Sequence, residues 1–134
     1  MAKTYTLNVA GLTRELTICK VNDHMDIAAF IMLGDAELTV AAAAELLKKC
    51  PDFDILLTAE AKGIPLAHEM SRQSGKRVLV VDDVISTGGS LKALDELAEQ
   101  TQCTIVGQAA VLAEGDAAQR KDIIFLEPLP LFFH

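Results

Sequence analysis

The sequence predicts an α/β fold in which a doubly wound, mainly parallel sheet is flanked by helices. Short runs of apolar, often β-branched residues, such as Val78 to Val81, are typical of strands buried on both faces. These runs are followed by a short loop and then by apolar residues at helical spacing. Because repeated strand–loop–helix units build parallel sheets, we interpret residues 1–134 as one domain.

The N-terminal part of the chain predicts elements outside these units. TYTLNVAG and LTRELTICKV read as two short strands around Gly11, either a small hairpin or an appendage to the main sheet. HMDIAAFIMLGD predicts a short helix that Asp26 caps and that ends at Gly34. AELTVAAAAELLKKC, after Asp35, predicts a strong helix that Pro51 stops.

The rest of the chain predicts three further strands. Phe53 to Ala59 form a buried strand, followed by the loop Glu60-Ala61-Lys62-Gly63 and the helix IPLAHEMSRQ. Cys103 to Ala113 form another strand, after which EGDAAQRKD is a polar turn. DIIFLEPLPLFFH predicts a last strand and an apolar tail interrupted by proline. His68 has no histidine or cysteine at metal-ligand spacing, so we interpret it as a helix surface residue.

Charge and composition exclude several classes of protein. The net charge of −7 argues against a nucleic-acid partner, which would need a cationic surface. No apolar run approaches the length of a membrane span, and the first residues lack a signal-peptide profile, so we expect no membrane partner and a cytoplasmic location. Three widely spaced cysteines, Cys19, Cys50 and Cys103, predict reduced structural thiols.

The stretch Val78 to Ser90, VLVVDDVISTGGS, carries most of the functional information. Asp82 and Asp83 follow the strand, and a loop of small residues, Ser86-Thr87-Gly88-Gly89-Ser90, leads into a helix. Glycines, hydroxyls and a helix N-terminus together form a cradle for phosphate, and the carboxylates suit the hydroxyls of a ribose. The order strand, turn, helix by itself fits a capped turn without a ligand about as well as a phosphate site. The two adjacent charges at the strand end favour the phosphate site.

The ordered motif VVDDVISTGGS resembles the phosphoribosyl-pyrophosphate (PRPP) binding motif of the type I phosphoribosyltransferases. The chain lacks the two competing phosphate motifs, G-x-x-x-x-G-K-[ST] and G-x-G-x-x-G. The resemblance is closest to the adenine/xanthine branch, because Ser86 stands where hypoxanthine-guanine enzymes usually carry an acid. It implies a purine phosphoribosyltransferase of purine salvage, which transfers 5-phosphoribose from PRPP to a purine base with release of pyrophosphate. Mg²⁺ as cofactor and a homodimer are also implied.

The resemblance also assigns roles to residues. It implies that Asp82 and Asp83 are catalytic and contact the ribose hydroxyls directly or through Mg²⁺. Ser86, Thr87, Gly88, Gly89 and Ser90 would hold the 5′-phosphate, and Ala61, Lys62 and Gly63 would hold the pyrophosphate. On spacing alone Lys62 is a solvated loop lysine, whereas the motif downstream favours the binding role.

The terminal segments are open to two interpretations. The family builds a hood over the base from such segments, which points to residues 1–22 and 114–134 as hood or sheet-edge elements. An edge flap without ligand contact is the alternative. Glu114, Phe132 and Phe133 are candidates for contact with the base, and each is otherwise a structural residue.

One segment departs from the family pattern. Members usually carry a further core strand and a long flexible loop before the motif strand, whereas SRQSGKRVLVV passes from helix to strand around Gly75 and Lys76. Three explanations are open: the natural chain is short, the chain has been trimmed, or a disordered segment has been left out and the remaining residues renumbered. A non-catalytic regulatory module of the same fold, binding PRPP or a purine nucleotide, is therefore the alternative function.

Overall fold

The computed structural model describes residues 3–59, 62–75, 77–100 and 105–133, without the side chains of 77–79 and 97–100. In chain order the elements are β1 (Thr4–Val9), β2 (Leu12–Asn22), β3 (Met25–Ala28), α1 (Ala36–Lys49), β4 (Ile55–Thr58), α2 (Ile64–Ser74), β5 (Arg77–Ile85), α3 (Gly89–Gln100), β6 (Gln108–Glu114), a 3₁₀ helix (Gly115–Gln119), β7 (Ile124–Leu129) and β8 (Leu131–Phe133). They form two four-stranded sheets, one of order β1-β2-β3-β8 and one of order β4-β5-β6-β7. Among the described residues, no helix has the length and apolar composition needed to cross a bilayer.

The smaller sheet is antiparallel and joins the two ends of the chain. β1 and β2 form the hairpin expected around Gly11, and β8 pairs with β3. The inner face of the hairpin buries Leu7, Val9 and Leu16, while the residues between them are more exposed. This period of two places one face of the sheet against the core and leaves the other in solvent.

The helix predicted for the segment before Gly34 is wrong. Met25–Ala28 is strand β3, paired with β2 on one side and β8 on the other, so Asp26 caps no helix. The apolar residues that follow are loop, with Phe30 and Met32 buried and Ile31 exposed. The short apolar run fits a helix or a strand equally well by pattern, and pairing with distant strands decides the outcome.

Helix α1 begins where the sequence predicts, at Asp35. The Asp35 carboxylate accepts a hydrogen bond from the Leu38 N–H at 3.0 Å, and Arg14 of β2 donates to the same carboxylate at 2.7 Å. The hydrogen bonds from Arg14 are the main cause that lowers the pKa of Asp35. The cap therefore also ties the small sheet to the helix.

The larger sheet is parallel and covered on both faces, which confirms the predicted fold class. Val81 and Ala109 belong to the core on the side of α1 and α2. Their neighbours Val80 and Ala110 belong to the core on the side of α3, which contributes Leu91 and Leu94. Residues next to each other in these strands thus bury opposite faces, as expected for a sheet between two helical layers.

The connection from α2 to β5 is unusually direct. α2 ends at Ser74 with Gly75 (φ 68°) as its C-cap, and β5 begins at Arg77. Lys76, and therefore the connection between Gly75 and Lys76 at which the chain departs from the family pattern, lies outside the described residues. The connections β4–α2–β5 and β5–α3–β6 both lead to the next strand on the same side in the order β4-β5-β6. However, α2 and α3 lie on opposite faces of the sheet. The two crossovers therefore have opposite hands, although right-handed crossovers are nearly universal. An additional strand beyond β4, between α2 and β5, would give both the same hand.

Candidate functional site

Two loops meet at the carboxyl edge of the parallel sheet. Thr58, the last residue of β4, pairs with Val81 of β5, so the loop after β4 lies beside Asp82 and Asp83. A Cβ on Gly63 would lie 3.3 Å from Oδ1 of Asp82. The structure thus brings together residues that the sequence separates by about twenty positions.

Asp82 and Asp83 lie inside β5 rather than after it, which corrects the predicted strand end at Val81. Pairing with β6 continues through Asp82–Ala110 to Ile85–Ala113. The ladder on either side of Asp83 holds this stretch of backbone in the strand, and the two neighbouring carboxylates lie close enough to interact with each other.

Asp83 is a buried carboxylate with one unsatisfied oxygen. Its side chain is 2% exposed, and Oδ1 accepts a hydrogen bond from the Val84 N–H at 2.9 Å. Oδ2 has no hydrogen-bond partner, and the ammonium of Lys62 lies 3.4 Å away as an ion pair only. A buried carboxylate oxygen without a hydrogen bond is costly, which makes Asp83 a candidate for contact with a ligand.

Asp82 is an acid with a raised pKa. Burial is the main cause that raises its pKa to about 6, and Asp83 acts in the same direction through a hydrogen bond and its charge. The Asp83 N–H, which donates to Oδ1 of Asp82 at 2.8 Å, and the Lys62 charge act in the opposite direction. Such perturbed acids are typical of functional sites.

The two carboxylates fit the donor chemistry of Mg²⁺. Hard divalent cations prefer carboxylate oxygens, and Oδ2 of Asp83 is a buried oxygen without a hydrogen bond. Within the described part of the chain, no group of three His, Cys, Asp or Glu side chains converges as a metal site. Mg²⁺ would therefore need further oxygens from a bound ligand, as is usual for this ion at phosphate sites.

The loop after β5 surrounds a cavity of about 130 Å³ at the start of α3. Its lining contains all five residues predicted to hold phosphate, together with Asp82 and three apolar residues: Asp82, Val84, Ile85, Ser86, Thr87, Gly88, Gly89, Ser90 and Leu91. Gly88 adopts the left-handed conformation (φ 80°), and its carbonyl accepts the first helical hydrogen bond from Lys92 at 3.0 Å. The loop can therefore turn its N–H groups and hydroxyls toward an anion.

The other predicted site residues lie in different surroundings. Lys62 is exposed and Gly63 is buried, while Ala61 lies outside the described residues, as does Cys103. His68 is exposed on α2, as expected. Phe132 packs edge to face on Tyr5 with ring centroids 6.0 Å apart.

A separate cavity opens at the small sheet. Its volume is about 690 Å³, and it is lined by Lys3, Thr4, Ile18, Asp26 and Phe132. Phe133 is 73% exposed. Residues of the two terminal segments thus line a space separate from the cavity at the start of α3.

Two residues at the site carry no recognisable signal in the sequence. A Cβ on Gly63 would collide with Oγ1 of Thr58, so this threonine sets the shape of the first loop. Nη1 of Arg120 lies 2.7 Å from the position of a Cβ on Gly88, against the second loop. Arg120 stands in a segment that reads only as a polar turn, and tertiary contact alone reveals both residues.

Comparison with known proteins agrees with the motif. Residues 73–128 match the phosphoribosyl transferase domain. The resemblance to the phosphoribosyltransferases is confirmed. This match contains both carboxylates and all five residues predicted to hold phosphate, but not the loop at Lys62 and Gly63.

Similar curated proteins carry the name adenine phosphoribosyltransferase. One from Symbiobacterium thermophilum is 41% identical over 54 residues, covering 40% of this chain and 32% of the relative. One from Xanthomonas campestris is 48% identical over 64 residues, covering 48% of this chain and 33% of the relative. The chain therefore spans about a third of the length of the curated relatives it matches.

A solved structure extends the likeness of fold over most of the chain. The crystal structure of adenine phosphoribosyltransferase from Thermoanaerobacter pseudethanolicus superposes with a TM-score of 0.63, covering 88% of this chain and 89% of that one. The sequences are 17% identical, so the comparison bears on the fold. It agrees with the type I phosphoribosyltransferase architecture predicted from the motif.

Proposed function

We propose that this chain binds PRPP and transfers its 5-phosphoribosyl group to a purine base of the adenine or xanthine type, in purine salvage. The observation that carries the proposal is the meeting of two strand–loop–helix units with Asp82 and Asp83 between their loops. PRPP carries phosphate at one end and pyrophosphate at the other, with ribose hydroxyls between. The loop at Lys62, the two carboxylates and the loop from Ser86 to Ser90 follow the same order as pyrophosphate, ribose and 5′-phosphate.

Each part of the site has a proposed role. The cradle from Ser86 to Ser90 holds the 5′-phosphate through N–H groups, hydroxyls and the N-terminus of α3. Asp82 and Asp83 accept hydrogen bonds from the ribose hydroxyls. Lys62 and the backbone at Gly63 hold the pyrophosphate, where negative charge develops as the bond to C1 breaks.

The transfer needs positioning more than covalent chemistry. A base nitrogen attacks C1 from the side opposite to the leaving pyrophosphate, so the protein must hold both reactants in line and exclude water. Asp82 and Asp83, with oxygens of PRPP, are the residues that would hold Mg²⁺. When bound, Mg²⁺ neutralises charge on the leaving pyrophosphate.

The choice of base is supported by two observations. Ser86 lines the cradle with a hydroxyl where hypoxanthine-guanine enzymes usually carry an acid. The similar curated proteins are named for adenine. We propose that the base binds at the small sheet, in the cavity of about 690 Å³ that Phe132 lines.

Pyrophosphate release from PRPP with Mg²⁺ and a panel of purine and pyrimidine bases tests the proposal. We expect release with adenine or xanthine and none with orotate or uracil. No release with any base would overturn the transfer reaction.

The variant Asp83→Asn tests the site itself. We expect it to weaken PRPP binding and to leave the fold intact, because it removes a charge that has no hydrogen bond at Oδ2. The exposed Asp54→Asn, just before β4, is the matched control and should leave PRPP binding unchanged. Unchanged affinity in the Asp83 variant would show that this carboxylate is not a ligand contact.

A second function is favoured by the direct connection between Ser74 and Arg77. A chain without a closing loop would expose the site to water, and the same fold would then serve as a regulatory module that binds PRPP or a purine nucleotide. Calorimetry separates the two functions. Binding of PRPP without turnover indicates the module, whereas binding with turnover indicates the enzyme.

Location and assembly are part of the same proposal. Cys19 and Cys50 are free thiols, which is typical of a reducing compartment and supports the cytoplasm. Exposed apolar residues before and in α1, Ile31, Leu33 and Val40, would be covered in a homodimer. Size-exclusion chromatography with light scattering measures whether the chain is a monomer or a dimer.

A further inference from the structure

Arg120 follows the 3₁₀ helix and reaches back to the phosphate cradle. Its Nε and Nη2 both donate to the carboxylate of Asp122, with Nε at 2.9 Å from Oδ1. This two-point contact fixes the plane of the guanidinium. The remaining nitrogen, Nη1, lies 2.7 Å from the position of a Cβ on Gly88. Among the described residues other than the chain neighbours of Gly88, only Arg120 has atoms within 4 Å of that position.

The contact falls on the residue that turns the cradle. Gly88 has φ 80°, lines the cavity and starts the hydrogen-bond ladder of α3. The guanidinium fills the space that any side chain at this position would need. Glycine is thus required here by the backbone conformation, and a larger residue would in addition have to displace the end of the arginine side chain.

The cavity itself lacks a basic side chain. Of its nine lining residues none is Lys or Arg, and Asp82 is an acid. A phosphate monoester carries a charge of about −1.5 to −2 at neutral pH. The N-terminus of α3 contributes only about half a positive charge, so a nearby guanidinium would add to the potential that the anion experiences.

The hydrogen bonds of Arg120 leave Nη1 available. Among the described residues Nη1 donates to no acceptor, while Asp122 occupies the other two nitrogens. Asp122 is 66% exposed and Arg120 is 34% exposed, so the pair lies at the rim of the loop rather than in the core. An arginine held in this way is oriented without being saturated.

We propose that Arg120 is a positioning residue of the phosphate cradle. Oriented by Asp122, it holds Gly88 in its left-handed turn and places a positive charge behind the loop that binds the 5′-phosphate. This inference rests on the proposed function, since it assigns the anion in the cradle to a phosphate monoester. A surface ion pair that merely stabilises the fold is the competing explanation.

Calorimetry with two partial ligands tests the proposal. Ribose 5-phosphate probes the cradle, and inorganic pyrophosphate with Mg²⁺ probes the loop at Lys62. In Arg120→Gln we expect the dissociation constant for ribose 5-phosphate to rise by about 10- to 100-fold, as for loss of a charged partner. Pyrophosphate binding should change much less, because Arg120 lies against Gly88 of the second loop and pyrophosphate is assigned to the first.

Two further variants distinguish the role of the charge from stability. Arg120→Lys keeps the charge but loses the planar two-point contact with Asp122, so it should recover part of the lost affinity. Arg72→Gln removes an arginine that pairs with Glu69 on α2 and is the matched control. It should leave both dissociation constants unchanged, and melting temperatures are recorded for every variant.

The outcomes separate the inference from the proposed function. Weaker binding of ribose 5-phosphate but not of pyrophosphate in Arg120→Gln, with partial recovery in Arg120→Lys, supports the role of Arg120. Equal weakening of both ligands, or none, overturns it even if the wild type transfers phosphoribose. If the wild type binds neither ligand, the proposed function falls as well.

Discussion

Two glycines, one in each loop of the site, show that the same residue type is required for different physical reasons. Gly63 precedes α2 with φ −75° and ψ −15°, a conformation that any residue adopts. It is nevertheless buried, and a Cβ there would collide with Thr58 and lie 3.4 Å from Cα of Asp82. Gly88 has φ 80°, and its crowding comes from the end of one flexible arginine.

The difference shows how each loop is shaped. Close packing of β4 against β5 dictates the first loop, whose neighbours are a β-branched side chain and a strand backbone. The second loop is shaped by its own backbone turn at Gly88, beside a cavity. Rigid packing surrounds the proposed pyrophosphate end, and an open turn surrounds the proposed phosphate end.

Gly63→Ala should have the largest effect on stability. The added methyl group must displace Thr58 or the β5 backbone, so we expect the free energy of unfolding to fall by about 1–3 kcal/mol in urea denaturation. Thr58→Ala in the same chain removes the colliding hydroxyl and should restore part of the loss. A wild-type free energy of unfolding for Gly63→Ala alone would show that the first loop is not closely packed.

Gly88→Ala should have the next largest effect. An L-residue in the left-handed region costs about 1–2 kcal/mol, and Arg120 must move as well. Gly34→Ala is the matched control, because Gly34 has φ 89° with nothing within 4 Å of its Cβ position. The excess of the first loss over the second measures the contact with Arg120, and equal losses would contradict that contact.

Asp82→Asn should change the pH dependence of stability. The pKa of Asp82 rises from the ordinary 3.8 to about 6 in the folded chain, so folding favours its protonated form. Its contribution to stability is therefore full below pH 3.8 and is lost as the pH rises through about 6. We expect the free energy of unfolding of Asp82→Asn relative to wild type to increase over this interval and then level off. A difference independent of pH would refute the raised pKa.

Lys62→Gln should have the smallest effect on stability. Its side chain is 60% exposed, and its ammonium lies 3.4 Å from Oδ2 of Asp83 without a hydrogen bond. The free energy of unfolding should therefore change by less than about 1 kcal/mol. Lys20→Gln, which breaks an exposed pair with Asp23, is the control for a surface ion pair. A much larger loss for Lys62 would mean that the buried carboxylate depends on it for folding.

Local sequence determined the elements whose signals are self-contained. α1 begins at its Asp35 cap and ends at Cys50, before Pro51, because side-chain capping and the missing N–H of proline act within one turn. α2 accepts Pro65 in its first turn for the same local reason. The order strand, loop, helix around VVDDVISTGGS was likewise predicted locally, and the structure has β5, a small-residue loop around a cavity and then α3.

Only the tertiary structure decided the features that depend on distant residues. Met25–Ala28 became a strand because β2 and β8 pair with it, and β5 extended through Asp82 and Asp83 because β6 continues the ladder. Thr58 and Arg120 entered the site across gaps of 5 and 32 residues from the glycines they touch. Strand pairing and side-chain packing join residues that lie far apart in the sequence. A local sequence pattern therefore does not show which distant residues become neighbours.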